Sequence, residues 1–64
     1  MVNGVPPDVI CAYDPEAKMY VKFLFAGEHG PYFVYESEET GYHLLIPKGE
    51  VWRFTDMKLC GEES

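Results

Sequence analysis

The stretch KMYVKFLFAG, residues 18–27, restricts the possible folds more than any other part of this chain. Met19, Val21, Phe23 and Phe25 fall on one side of it, and Lys18, Tyr20 and Lys22 on the other. A repeat of two, built from β-branched and aromatic residues, is the pattern of a strand with one buried face. Nowhere do apolar residues recur at i, i+3, i+4 and i+7 for long enough to make an amphipathic helix. DPEAKMY (14–20) has room for a single helical turn. At 64 residues the chain is one domain, and one that buries only about 60% of its unfolded surface. A sheet that small must curl or close to cover its apolar face and limit its open edges. Aromatic residues at 16% supply the bulk for a thin core.

The rest of the chain repeats the strand pattern. Residues 1–7, with Gly4 and the pair Pro6-Pro7, read as an extended lead-in to a β domain over 8–60. DVICAY (8–13) is a short apolar run that stops at the turn DPEA. GEHG (27–30) reads as a loop, with Pro31 opening the next strand, PYFVYES (31–37). SEETG forms a hairpin tip, and YHLLIP (42–47) returns antiparallel. After KGE, VWRFTDMKLC (51–60) is expected as a fifth strand with Trp52 and Phe54 on one face and a bulge or 3₁₀ turn near Thr55-Asp56. GEES (61–64) is expected to be a flexible acidic tail. The fold class is therefore all-β: one small domain of about five short antiparallel strands, forming a small barrel or a strongly bent sheet.

CAYDPEA (11–17) resembles the ALYDY opening of SH3 domains, and EETGYHLLIPKGEV (38–51) is similar to their G-x-x-GYIPxNYV ending. YVKFLFAGEHG (20–30) also resembles a stretch of Tudor-type barrels, a variant of the same architecture. The resemblance implies an SH3-like small β-barrel. Pro15 replaces the second tyrosine of ALYDY, and no tandem tryptophans precede the third strand. The binding of proline-rich peptides is therefore not implied.

Eleven Asp and Glu against five Lys and Arg leave a formal charge of −6. Phosphate backbones and anionic membranes are poor partners for such a chain. The natural electrostatic partner is a protein with a basic surface. No window is long and apolar enough for a membrane-spanning helix, and MVNGVPPDV is not a secretion signal. The expectation is a complete, cytoplasmic protein whose two cysteines, Cys11 and Cys60, are free thiols. Were it exported, a bridge between them would contribute ~4 kcal/mol in the chain-entropy model.

Catalysis is not expected. Cys11, His29, His43 and Cys60 lie too far apart in sequence for a structural zinc site. Nor do they form a recognisable thiol–imidazole pair. No phosphate-binding motif is present, and no cofactor or metal is expected. The reading is a non-enzymatic acidic protein-binding module, similar in character to small phage- or mobile-element-encoded inhibitors of a host protein. Glu36, Glu38 and Glu39 would steer it to a basic surface, with exposed Tyr35, Tyr42 and Trp52 as anchors. One alternative is a Tudor-like reader of methylated Lys or Arg, caged by Tyr13, Tyr35 and Trp52. Another is a nucleic-acid-binding barrel that stacks bases on Tyr20, Phe33 and Tyr35 beside Lys18 and Lys22. A homodimer burying the surplus aromatics is a further structural possibility.

Overall fold

The computed structural model describes residues 5–61. Four strands form one antiparallel sheet in chain order, curled into a half-barrel: β1 (Val9–Asp14), β2 (Met19–His29), β3 (Tyr32–Ser37) and β4 (His43–Pro47). The concave side holds the core. Ile10 pairs with Phe23 and Ala12 with Val21 across β1 and β2, Phe25 pairs with Tyr35, and Phe33 pairs with Ile46. All of these but Phe25 form, with Val51, one buried cluster, flanked by Ala17, Phe25, Tyr42, Leu44 and Phe54. Phe25 meets Phe33 and Tyr35 edge-to-face at 5.7 and 5.5 Å. Burying an aliphatic or aromatic side chain contributes roughly 1.5–3 kcal/mol, so Ile10, Phe23 and Val51, which have no exposed surface, are major supports of so small a domain.

The alternation read from residues 18–27 is realised over 20–24, with Val21 and Phe23 inward and Tyr20 and Leu24 outward, but Met19, expected on the inward face, is 55% exposed at the first position of the strand. GEHG is not a loop. β2 runs on to His29, which pairs with Tyr32, leaving only Gly30 and Pro31 as the connection. Gly30 takes φ 59, a left-handed value that L side chains rarely adopt. The longer strand is accommodated by a register shift between Phe25 and Gly27, where Gly27 has φ 145.

The expected fifth strand is absent among the described residues. Two 3₁₀ turns take its place, η1 (Val51–Phe54) and η2 (Met57–Cys60). The reason lies in a period of three. Val51 is buried, Phe54, Met57 and Cys60 are half-buried, and every residue between them is exposed. A 3₁₀ helix has 3.0 residues per turn, so positions i and i+3 eclipse on one side. Trp52 and Phe54 consequently do not share a face. The Asp56 side chain accepts from the Lys58 N–H at 3.0 Å and starts the second turn.

The cysteines are not free. Cys11 and Cys60 form a disulfide across 49 positions, with their Cα atoms 6.0 Å apart. Cys11 alternates with the inward-facing Ile10 and Ala12 and so projects from the convex side of β1. The C-terminal segment therefore enters the core at Val51 and then lies against β1 and β2 with η2 bonded to the convex side. Val5, Pro6 and Pro7 carry no regular structure, and the Pro7 carbonyl is tied to the core by Tyr35. The first four residues of the lead-in and positions 62–64 of the expected tail lie outside the described residues. No helix among the described residues is long and apolar enough to cross a membrane.

Candidate functional site

In an antiparallel meander the β1–β2 and β3–β4 loops emerge at the same end of the sheet. Here a buried carboxylate stitches them together. Asp14, the last residue of β1, has no exposed surface. Its Oδ1 accepts from the backbone N–H groups of Glu16 at 2.8 Å and Ala17 at 3.2 Å, which shapes its own loop. Its Oδ2 accepts from the hydroxyls of Ser37 at 2.5 Å and Thr40 at 2.6 Å, which belong to the other loop. Those hydroxyl oxygens in turn accept backbone bonds. Ser37 Oγ takes the N–H groups of Glu39 at 3.1 Å and Thr40 at 3.2 Å, and Thr40 Oγ1 takes that of Tyr42 at 3.2 Å. Burial alone would raise the Asp14 pKa, but the bonds from Ser37, Thr40, Glu16 and Ala17 outweigh it and hold it at about 2.

The outcome is an acidic end with a fixed backbone. Glu16, Glu36, Glu38 and Glu39 are exposed there beside Lys18. The ion pairs Lys48–Glu28 and Arg53–Glu50, both 2.8 Å, involve none of these acids. Lys48 also stands 5.4 Å over the Phe33 ring. Among the described residues, no cation pairs with Glu36, Glu38 or Glu39. Tyr13 and Tyr20, a cross-strand pair with rings edge-to-face at 5.5 Å, flank this end on the convex side and are about half exposed.

Of the three aromatic anchors expected from sequence, Tyr42 directly follows the acidic loop, its N–H donating to Thr40 Oγ1, and Tyr35 is not exposed at all. Tyr35 is a correction: its exposure is 0%, and its hydroxyl donates to the Pro7 carbonyl at 2.7 Å. Burial, then the charge of Asp8, pushes its pKa above the ordinary 10.0. Tyr42 is half-buried against the core. Trp52 is 46% exposed but lies on η1, beyond the far end of β4. With Tyr35 inside the core, the trio Tyr13, Tyr35 and Trp52 makes no cage. With Phe33 also buried, the base-stacking set Tyr20, Phe33 and Tyr35 keeps only Tyr20 at the surface. The exposed pair that does adjoin the acids, Tyr13–Tyr20, has a readable signal. Both residues alternate with the buried Ala12 and Val21.

A second feature is a cleft of about 390 Å³ lined by Ala12, Tyr13, Leu44–Pro47, Glu50 and Phe54. Four consecutive residues of a strand line one cavity only when the strand's edge faces it, because their side chains alternate. The cleft is thus the unclosed seam of the half-barrel, between β1 and β4. Among the described residues no group of three or more His, Cys, Asp and Glu side chains is placed to hold a metal ion.

Comparison with protein-family models, curated proteins and solved structures finds no match to this chain.

Proposed function

We propose that this chain is a non-enzymatic protein-binding module whose acidic end engages a basic partner surface. The supporting observation is that Glu36, near the end of β3, and Glu38 and Glu39, on the loop after it, are unpaired among the described residues and sit on a backbone fixed by the Asp14–Ser37–Thr40 bonds. A backbone held in place loses little freedom when a cation arrives, and pre-organisation of that kind favours association. They also steer a cationic partner over roughly 8 Å at physiological salt. Tyr13 and Tyr20 supply exposed aromatic area next to them. An inhibitor that covers the basic working surface of a host protein is the specific form of this reading.

Capture from a lysate tests it, with tagged wild type beside the Glu36→Lys/Glu38→Lys/Glu39→Lys variant, each checked for folding by circular dichroism. The three reversals, at two charge units each, bring the formal charge from −6 to 0. A protein retained by wild type, released by added salt and not retained by the variant is the expected result. Capture of the same set by both, or of nothing, overturns the reading.

A further inference from the structure

The two edges of this sheet are not equally protected. β1 is bonded to the C-terminal segment through Cys11–Cys60 and has η1 and η2 packed against it. Among the described residues β4 pairs with one strand, β3, and its outward side is bonded only at Pro47, whose carbonyl accepts from the Glu50 N–H. The Ser37 N–H donates to the Tyr42 carbonyl, and the Lys48 N–H donates to the Pro31 carbonyl. Even-numbered residues of β4 therefore bond toward β3, and His43, Leu45 and Pro47 turn their backbones outward. Pro47 has no N–H to offer, which leaves His43 and Leu45 as the outward donors. Sequence HLLIP carries none of the Lys, Asp or Glu that commonly shield such an edge. The seam beside it is apolar, and Leu45 is 51% exposed. The N-terminal end of this edge continues directly from the loop bearing Glu38 and Glu39.

We propose that the seam accepts an extended segment of a partner protein as an added antiparallel strand along β4, which deepens and rests on the protein-binding reading above. Backbone bonds to His43 and Leu45 hold the segment, and its alternate apolar side chains enter the cleft between Leu44–Pro47 and Ala12, Tyr13 and Phe54. Antiparallel pairing places the C-terminal end of the segment beside His43 and the acidic loop. Charge complementarity then fixes its chemistry: alternating apolar residues followed, on the C-terminal side, by Lys or Arg. A second copy of this chain is a poorer occupant, since it carries another −6 and its HLLIP strand lacks the basic residues.

The probe is a fluorescein-labelled peptide, Val-Thr-Val-Thr-Val-Lys-Lys-Arg. Its controls are one peptide with Glu in place of the three basic residues and one with the basic block moved to the N-terminus. Wild type should bind the first at least about tenfold tighter than either control, with amide shifts centred on His43 and Leu45. Leu45→Pro removes an outward donor without touching a bond to β3 and should weaken binding about tenfold or more. Leu45→Lys, at a half-exposed outward side chain, should weaken it similarly and serves if the proline variant does not fold. Absence of binding at about 1 mM peptide, equal affinity for all three peptides, or undiminished binding by a folded Leu45 variant overturns the seam proposal. Concentration-dependent dimerisation in sedimentation that the peptide does not reverse overturns it too. If Glu36→Lys/Glu38→Lys/Glu39→Lys loses the peptide while a folded Leu45 variant keeps it, the acidic-end reading stands and the seam proposal fails alone.

Discussion

The two free edges of one curled sheet have been treated in opposite ways. β1, VICAYD, and β4, HLLIP, are both short, apolar and nearly free of charge. Either would be a template for unwanted pairing if left bare. The C-terminal segment leaves β4, inserts Val51 into the core, and ends bonded to Cys11 on the convex side of β1. It meets β4 at its last residue, where the Glu50 N–H donates to the outward-turned Pro47 carbonyl at 2.8 Å, and leaves the outward amides of His43 and Leu45 without a backbone partner among the described residues. An edge left open in a domain with so little core is consistent with an edge that is used. The protected edge belongs to stability, and the open one, next to the acidic loop, is the edge proposed for binding.

The largest effect that would break this contrast comes from the protected side. Replacing the bridge with Cys11→Ala/Cys60→Ala should lower the stability by about 4 kcal/mol for a closed loop of this length, measured by urea denaturation. A loss under about 1 kcal/mol would show that the C-terminal segment holds β1 without the bridge.

A smaller effect sharpens the contrast at the acidic end. Asp14 has its pKa at about 2 in the folded chain against an ordinary 3.8. A carboxyl with a depressed folded-state pKa stabilises fully above its unfolded value. Its contribution is therefore intact above roughly pH 4 and is lost as the pH falls from 3.8 toward about 2. The stability of wild type should drop across that window, and Asp14→Asn should remove that part of the drop. The disulfide is indifferent to this titration, so loosening should appear first in residues 38–42, followed by their amide signals. An acid profile unchanged by Asp14→Asn would contradict the role given to the network.

How much of this was legible in the sequence depended on whether a local pattern had one reading. β2 had one, because only one parity of residues 19–25 is consistently large and apolar up to Phe23. The acidic tip was legible from SEETG. PYFVYES had two readings, since Tyr32 and Val34 compete with Phe33 and Tyr35 for the inward face. Pairing decided between them: Tyr35 sits opposite Phe25 on β2 and Leu44 on β4, so a residue expected as an anchor became core. The C-terminal run has the β-propensity of a strand but the spacing of 3₁₀ turns, and the spacing prevails. Its every-third-residue pattern at Val51, Phe54, Met57 and Cys60 was present in the sequence. The bridge was not legible from local pattern at all. It depends on the outward register of Cys11 and on the path of the C-terminal segment, both tertiary facts. The acidic loop's rigidity was equally hidden, because Asp14 and Thr40 are 26 positions apart.

Amide hydrogen exchange along β4, read residue by residue in dilute protein without any partner, tests the open edge most directly. Leu44 and Ile46, whose backbones bond to β3, should be protected, and His43 and Leu45 should exchange rapidly, giving an alternating pattern. Protection of all four amides would mean that the edge is already covered, and would contradict the division between a guarded β1 and an available β4.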